Sequence, residues 1–148
     1  RTPKKVTVLK TKTVPEGISA LLSYMDEVAY QENVNRMEEA VKNVRSGEVT
    51  EASRDVTLGG VEVKNGDSIG IFDGKIRCSR AVAEDAVVDL IETMVDTSHE
   101  IVTLYYGESV SKESADAVQA RLQERLGDKG IELYYGGQPY ARYIVSVE

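Results

Sequence analysis

A tetrapeptide, Leu-Tyr-Tyr-Gly, occurs twice in the second half of this chain, at residues 104–107 and 133–136, and it restricts the possible topologies more than any other pattern. Between the copies, Ser111 can cap a helix over residues 112–126, where apolar side chains recur at helical spacing. A strand, a helix and a strand joined over this length predict a βαβ unit with parallel strands and a right-handed crossover. Both copies should therefore end at the carboxyl edge of one sheet.

The tyrosines of this repeat are candidates for a recognition surface. Open α/β sheets bind ligands beyond the carboxyl ends of their strands, and tyrosine offers a large ring with a polar tip. Adjacent residues of a strand face opposite sides of the sheet, so one tyrosine of each pair can equally be a packing residue under a helix. The candidate partner-binding residues are Tyr105, Tyr106, Tyr134, Tyr135 and Gln138.

Hydrophobic periodicity predicts the remaining elements. A strand is expected over residues 5–10, followed by a helix from Thr13 whose apolar face holds Ile18, Leu21, Leu22 and Met25. A second helix over 31–45 should end at Gly47, which suits the left-handed cap position. The other predicted elements are a β-meander over 50–79 with tight turns at Asn65-Gly66 and Asp73-Gly74, a helix over 81–95, and strands over 100–106, 131–135 and 140–147.

A change in composition near Asp55 predicts two lobes. Residues 1–55 are interpreted as a partial α/β lobe with one strand and two helices. Residues 56–148 are interpreted as a mixed α/β (α+β) lobe, in which a β-meander precedes the βαβ unit and the sheet is parallel or mixed. The opening strand has no sequence neighbour to pair with, which favours an incomplete first lobe.

The segment from Thr11 to Ser19 joins the first predicted strand to a helix N-terminus. Thr13 and Glu16 stand at the spacing of a capping box. Free amides and the helix dipole at such a junction favour an anion, although helix capping alone explains the same residues. The candidate ligand residues for a carboxylate or phosphate are Thr11, Thr13, Gly17 and Ser19.

Charge and composition exclude several classes of function. The formal net charge of −7 opposes binding to nucleic acid and to anionic membrane surfaces. The single cysteine, Cys78, cannot form an internal disulfide, which favours a reducing compartment. No run approaches the roughly 20 apolar residues that a membrane span requires. The sequence therefore predicts a soluble, cytoplasmic protein without a membrane span.

A self-sufficient catalytic centre is not expected. His99, the only histidine, falls in a polar loop and is predicted to be a solvated surface residue. Cys78 falls in a predicted strand and should be a buried, inert thiol. The glycine pairs at 59–60 and 136–137 lack the pattern of a phosphate-binding loop. One histidine and one cysteine are too few for a zinc site, so no catalytic residue, metal or cofactor is predicted in this chain.

A set of motifs along the whole chain resembles one family. The motifs are the run Val-Leu-Lys-Thr-Lys-Thr-Val-Pro-Glu-Gly-Ile-Ser-Ala-Leu-Leu (8–22), Gly-Glu-Val-Thr (47–50), Gly-Val-Glu-Val-Lys-Asn-Gly-Asp-Ser-Ile-Gly-Ile (60–71), Asp-Gly-Lys-Ile (73–76), Tyr-Tyr-Gly (105–107), Tyr-Gly-Gly-Gln-Pro (135–139) and Ile-Val-Ser-Val-Glu (144–148). In combination they resemble the C-terminal region of the bacterial fatty acid kinase protein whose N-terminus carries a dihydroxyacetone-kinase-like ATP domain.

The resemblance implies a two-lobed layout similar to that of DegV-like fatty-acid-binding proteins, which are the kinase's partners. It also implies that ATP and Mg²⁺ bind in the N-terminal domain of the parent, which has no counterpart in these residues. A chain of this family would be a non-catalytic module that docks the DegV-like partner, so that the distant ATP domain phosphorylates the bound fatty acid to acyl phosphate. Two alternatives stay open: a sensing domain for an acyl or anionic ligand, and a homodimerisation module of the kinase.

Overall fold

The computed structural model describes residues 3–148, which form two compact units that divide between Val44 and Arg45. This division differs from the lobe boundary predicted at residue 55. Residues 45–51 form a strand inside the sheet of the second unit, so they share its hydrogen bonds and its core.

The first unit contains two helices that pack on each other, α1 (Val14–Leu22) and α2 (Tyr30–Asn43). The hydroxyl of Thr13 accepts a hydrogen bond from the Glu16 amide, which is one half of the predicted capping box. The Glu16 carboxylate accepts from the amide of Lys12, one residue before the partner that the pattern predicts. The start of α1 is thus stabilised by its own side chains.

Two predictions for the first unit are wrong. Residues 5–10 form no strand, because no neighbouring strand pairs with them in the part of the chain that the structure describes. On α1, Leu21 and Leu22 are exposed, whereas Pro15 and Ala20 are buried. Apolar spacing identified the helix, but it did not identify which side of the helix packs on α2.

The second unit is built on a mixed sheet. Its strands and helices are β1 (Arg45–Glu51), β2 (Val56–Leu58), β3 (Val61–Val63), β4 (Ser68–Phe72), β5 (Lys75–Arg80), α3 (Ala83–Met94), β6 (Ile101–Tyr106), α4 (Lys112–Arg125), β7 (Gly130–Tyr135) and β8 (Tyr143–Val147). Six strands form one sheet in the order β5-β4-β1-β8-β6-β7. β6 and β7 are parallel, as the repeat predicts, and β8 lies antiparallel between β1 and β6.

The predicted β-meander is only partly confirmed. β4 and β5 form a hairpin at Asp73-Gly74, where both residues have positive φ, of 54° and 68°. However, β1 pairs with β4 and β8, while β2 and β3 pair only with each other as a separate two-stranded sheet. This small sheet contributes Val63 to a second apolar cluster with Ala52 and Ile69. The turn at Asn65-Gly66 connects β3 to β4, which are not paired.

Gly47 lies in β1 and is not the helix cap that its position after α2 suggested. The helix ends at Asn43, and the chain continues directly into the strand. A Cβ at Gly47 would stand 2.9 Å from the carbonyl oxygen of Ile71 and 3.0 Å from the sulfur of Met94 on α3. The missing side chain therefore lets α3 approach the sheet closely.

The main core lies between the sheet and helices α3 and α4. Leu90, Ile91 and Met94 of α3 are fully buried against alternate residues of the strands, among them Val102 and Leu104 of β6. Burying a side chain of this size contributes roughly 1.5–3 kcal/mol. Because strand residues alternate, the residues between them on β6, including Thr103 and Tyr105, face the opposite side of the sheet.

Candidate functional site

The four tyrosines of the repeat come together at the carboxyl ends of β6 and β7. The parallel register pairs Tyr105 with Tyr134 and Tyr106 with Tyr135. The rings of the first pair stack with centroids 5.9 Å apart, and those of the second pair are tilted at 5.3 Å. We call these four residues the tyrosine cluster. Aromatic pairs at such distances gain about 0.5–1.5 kcal/mol beyond the area that they bury.

The two pairs of the tyrosine cluster lie on opposite faces of the sheet. Tyr106 packs against the core under the helices, and Tyr105 is half-buried on the other face. Their neighbours on β7 are more accessible: Tyr134 is 50% exposed and Tyr135 is 65% exposed. The edge position of β7 explains the difference, since no strand covers its outer side within residues 3–148. The β7 tyrosines are thus the accessible part of the cluster.

Gln138 holds the cluster in place and is itself only half-exposed. Its side-chain amide donates to the carbonyl oxygen of Tyr105 at 2.8 Å. The amides of Gly136 and Gly137 both donate to the carbonyl of Tyr106, at 2.9 and 3.3 Å. A Cβ at Gly136 would collide with the side-chain oxygen of Gln138. The loop after β7 is therefore fastened to the end of β6 by side-chain and backbone bonds together.

The loop between β6 and α4 is hydrogen-bonded to the segment that connects β7 and β8. The Gly107 amide donates to the Arg142 carbonyl at 2.8 Å, and the Glu108 amide donates to the Gln138 carbonyl at 3.1 Å. Tyr140, predicted to begin the last strand, lies in the loop before β8 and is 87% exposed. This residue is a further accessible aromatic that the prediction did not include. The only signal for it was its place beside the turn residues that end at Pro139.

The acidic side chain of Glu132 lies beside the accessible face of the cluster. The hydroxyl of Tyr134 lies 3.3 Å from the carboxylate of Glu132, two residues earlier on the same face of β7. Burial raises the pKa of Tyr105, and Tyr134, Glu148 and Glu132 raise it further. The Tyr105 phenol therefore stays protonated and can donate a hydrogen bond at neutral pH.

Three residues of the predicted anion junction form hydrogen bonds within the first unit. The Gly17 amide donates to the Thr13 carbonyl at 3.2 Å, and the Thr11 amide donates to the Leu9 carbonyl at 3.0 Å. The Ser19 hydroxyl donates to the carbonyl of Ala40 on α2 at 3.5 Å. These contacts use donors that an anion would need, and a ligand role for the junction stays a prediction.

A separate groove of about 540 Å³ lies within the first unit. Thr11 and Thr13 do not line it; its lining residues include Lys5, Thr7, Val34 and Met37 together with Tyr30. The hydroxyls of Thr7 and Tyr30 are hydrogen-bonded, and the Lys5 ammonium stands 5.8 Å above the Tyr30 ring. The groove combines apolar walls with one cation, and its volume is in the range of small-molecule sites.

Asn33 also lines this groove. Its side chain accepts from the Met25 amide at 2.9 Å, and it donates to the carbonyls of Met25 and Val28 at 2.7 and 3.2 Å. The residue is buried, so its polar atoms are occupied in holding the loop between α1 and α2. This part of the groove lining is thus fixed by hydrogen bonds within the first unit.

The prediction of a solvated His99 is wrong. The residue is 7% exposed, and its Nδ1 accepts from the Asp96 amide at 2.9 Å. Lys129 donates to the His99 carbonyl at 2.7 Å, which connects this loop to the segment between α4 and β7. Because Nδ1 is occupied by a backbone donor, the imidazole serves to fix the turn from Asp96 to Glu100.

The expectation of a buried Cys78 is confirmed. Its thiol lies 3.3 Å from the carbonyl of Ala86 on α3, and burial raises the pKa of the Cys78 thiol. Such a thiol is a weak nucleophile. No group of three or more metal-binding side chains occurs among residues 3–148. In the same described range, no helix is long and apolar enough to cross a bilayer.

The chain has a mixed α/β fold of the DegV type. A solved structure of a DegV-family protein from Ruminococcus gnavus, obtained with vaccenic acid, is similar to this chain with a TM-score of 0.52 and 17% sequence identity. The similarity covers 90% of this chain and 55% of that protein. At this identity the comparison establishes the fold alone.

The chain belongs to the FakA-like C-terminal family of fatty acid kinases, whose model matches residues 1–148. It is 37% identical over 145 residues to the protein YloV of Bacillus subtilis. It is 35% identical over 141 residues to an uncharacterized protein of Staphylococcus aureus strain USA300. These alignments include 98% and 95% of this chain but only 26% of either relative, so the chain spans about a quarter of their length.

Proposed function

We propose that this chain is the non-catalytic docking module of a cytoplasmic fatty acid kinase. It would bind a DegV-like fatty-acid-binding protein, so that an ATP- and Mg²⁺-binding domain of the same kinase transfers phosphate to the bound fatty acid. The observation that carries this proposal is the tyrosine cluster: four aromatic side chains at one sheet edge, two of them largely exposed, in a chain of the fatty acid kinase family.

The cluster has the properties of a protein-docking surface. Tyrosine buries a large area on binding while only two side-chain torsions lose freedom. The bonds of Gln138, Gly136 and Gly137 to the end of β6 fix the backbone below the rings before any partner arrives. A surface ordered in advance loses less conformational entropy on association, and more of the contact energy then appears as affinity.

Docking of this kind supports catalysis through position. The acyl carboxylate would be presented by the partner, and the phosphoryl donor would lie in the kinase domain, so the module needs no reacting group of its own. Holding two reactants in the right geometry can supply several kcal/mol of a rate enhancement.

The proposal can be tested by titration calorimetry. The 148-residue chain would be titrated with the oleate-loaded DegV-like protein encoded in the same genome, and saturable binding is expected. Tyr134→Ala should weaken the affinity about tenfold or more, as exposed aromatic anchors do at interfaces. Leu58→Ala on β2 is the control, because Leu58 is also about half exposed, at 51%, lies outside the tyrosine cluster and should leave the affinity unchanged.

Two outcomes would contradict docking. One is the absence of heat with the loaded partner, when the chain is shown to be folded by circular dichroism. The other is an equal loss of affinity in Tyr134→Ala and Leu58→Ala, which would mean that the tyrosine cluster is not the contact surface. A molar mass that rises with concentration in the absence of partner would favour the homodimerisation module instead.

A second candidate function is a sensor for an acyl ligand, and the groove of the first unit favours it. Apolar side chains such as Val34 and Met37 suit an alkyl chain, and the Lys5 ammonium suits its carboxylate. Free oleate below its micelle concentration would be titrated into the chain. Lys5→Gln should weaken binding, whereas Lys10→Gln, in the same segment but outside the groove lining, should not. Saturable heat with free oleate and none with the loaded partner would favour the sensor.

A further inference from the structure

One edge of the six-stranded sheet, β7, has an unpaired outer side. β7 pairs only with β6 among the described residues. In a parallel pair, the amide and carbonyl of every second residue point to the neighbouring strand. The Gly130 amide donates to Glu100 at 2.8 Å and the Gly136 amide donates to Tyr106 at 2.9 Å, so the even-numbered residues point inward to β6. The backbone groups of the odd-numbered residues therefore point outward.

The chain itself protects the first part of this edge. The side-chain amide of Gln119 on α4 donates to the carbonyl oxygen of Ile131 at 2.9 Å. This contact occupies the first outward carbonyl, and the Ile131 side chain is buried. The outward amides and carbonyls of Leu133 and Tyr135 follow, and they have no partner strand within residues 3–148. The open edge is therefore short and lies beside the exposed rings of the tyrosine cluster.

The opposite edge of the same sheet, β5, has features that prevent the pairing of a further strand. β5 carries Lys75, Arg77 and Arg80, and β3 packs beside it. Its pairing with β4 is also interrupted by an irregularity at Gly70 and Ile71. Charged side chains, coverage and bulges are the usual devices that prevent unwanted pairing at an edge. The open end of β7 carries two accessible tyrosines in their place.

We propose that the open edge at Leu133–Tyr135 receives an extended segment of the docking partner as a seventh strand. This inference rests on the proposed function and specifies the mode of docking. The added strand would pair with the outward backbone groups of Leu133 and Tyr135. The rings of Tyr134 and Tyr135, which project to opposite faces of β7, would cover its side chains from both sides.

Charge specifies the chemistry of the added segment. Glu132 is exposed on β7 and forms no ion pair among the described residues, and its carboxylate lies beside the Tyr134 hydroxyl. The whole chain carries a net charge of −7. A cross-strand cation beside Glu132 and Tyr134 would gain both a carboxylate and an aromatic face. The partner segment should therefore be an extended strand with a lysine or arginine at that position.

Amide hydrogen exchange gives a direct test with the unmodified chain. Addition of a strand should slow exchange of the Leu133 and Tyr135 amides at least tenfold in the presence of saturating oleate-loaded DegV-like protein. The Glu132 and Tyr134 amides, which already point to β6, should show the smaller change. If Leu133 and Tyr135 exchange equally fast in the free and the bound chain, strand addition is excluded while docking through side chains survives.

A pair of substitutions at Tyr135 separates the backbone contribution from the ring. Tyr135→Ala removes the ring only, whereas Tyr135→Pro also removes the outward amide without breaking a bond to β6. Strand addition predicts that the proline variant binds the partner about fivefold to tenfold more weakly than the alanine variant. Equal affinities in two variants of equal thermal stability would overturn the proposal.

The predicted cation of the partner segment can be tested independently. Glu132→Gln should lower the affinity for the partner severalfold at low ionic strength and flatten its dependence on salt. An unchanged salt dependence would overturn the cationic partner segment. Failure of the wild-type chain to bind the loaded partner in any of these experiments would instead reject the proposed function itself.

Discussion

Tyr105 and Tyr134 stack across the β6–β7 pair, with ring centroids 5.9 Å apart and ring planes 27° apart. Both residues hold the same position in the repeated Leu-Tyr-Tyr-Gly sequence, and the parallel register places them side by side. The helix α4 between the copies returns the chain to the same end of the sheet. The repeat thus produces two aromatic contacts, one on each face of the sheet.

This stack should contribute measurably to stability. Urea unfolding of Tyr105→Ala, Tyr134→Ala and the double variant should show a coupling free energy of about 0.5–1.5 kcal/mol. The cycle of Tyr106 with Tyr134 is the control, because these side chains face opposite sides of the sheet and should couple by less than about 0.5 kcal/mol. Equal coupling in both cycles would show that the stack adds nothing specific.

Gln138 should act on the docking surface through its position. Gln138→Ala removes the donor to the Tyr105 carbonyl and should lower the free energy of unfolding by about 1 kcal/mol. The affinity for the loaded partner should also fall, because the loop over the tyrosine cluster loses its attachment. Gln123→Ala, at an exposed site on α4, should change stability by less than about 0.5 kcal/mol. A Gln138→Ala variant as stable as Gln123→Ala would contradict the attachment.

Substitution by alanine should change the stability in opposite directions at two glycines. Gly47→Ala inserts a methyl group 2.9 Å from the Ile71 carbonyl and 3.0 Å from the Met94 sulfur, and it should destabilise by roughly 1–3 kcal/mol. Gly17 lies inside α1 with nothing within 4 Å of an added Cβ, so Gly17→Ala should stabilise by up to about 1 kcal/mol. Thermal unfolding of both variants measures whether each substitution raises or lowers the stability. A Gly47→Ala variant as stable as the wild type would mean that α3 does not approach β1 this closely.

Tyr143 should make stability fall at alkaline pH. Its side chain is fully buried, its hydroxyl has no hydrogen-bond partner among the described residues, and burial raises the pKa of Tyr143 far above its usual value near 10. Above pH 10 the unfolded chain releases this proton while the folded chain retains it. The free energy of unfolding should therefore be unaffected below about pH 10 and fall by up to about 1.4 kcal/mol per pH unit above it.

Tyr143→Phe isolates that contribution. The variant should be at least as stable as the wild type at neutral pH, because it removes a buried hydroxyl without a partner among the described residues. It should also have a shallower loss of stability between about pH 10 and 11 in urea unfolding, with Tyr140→Phe as the exposed control. A large destabilisation by Tyr143→Phe at neutral pH would indicate a hydrogen bond to a bound water.

Local patterns in the sequence predicted the helices, most strands and the βαβ unit. Ser111 accepts from the Ser114 amide at the start of α4, and Asp73-Gly74 forms the tight turn between β4 and β5. These features depend on neighbours within a few residues, so short sequence patterns identify them. The tyrosine cluster was predictable for a different reason: a repeat across a predicted parallel pair places equal positions side by side. Its role in binding remains a prediction.

The order of strands and the burial of single residues depend on tertiary contacts that no local pattern carries. β1 lies between β4 and β8, and Gly47 therefore faces α3 instead of capping a helix. His99 is buried, and Asp96 and Lys129 hydrogen-bond to it, although its polar sequence context indicated a solvated loop. Pairing between distant segments depends on which surfaces fit together after the local elements have formed, and hydrophobic periodicity carries no information about that choice. Local sequence thus accounts for the elements and the repeat, whereas packing between distant segments determines the open edge at β7 and what lies beside it.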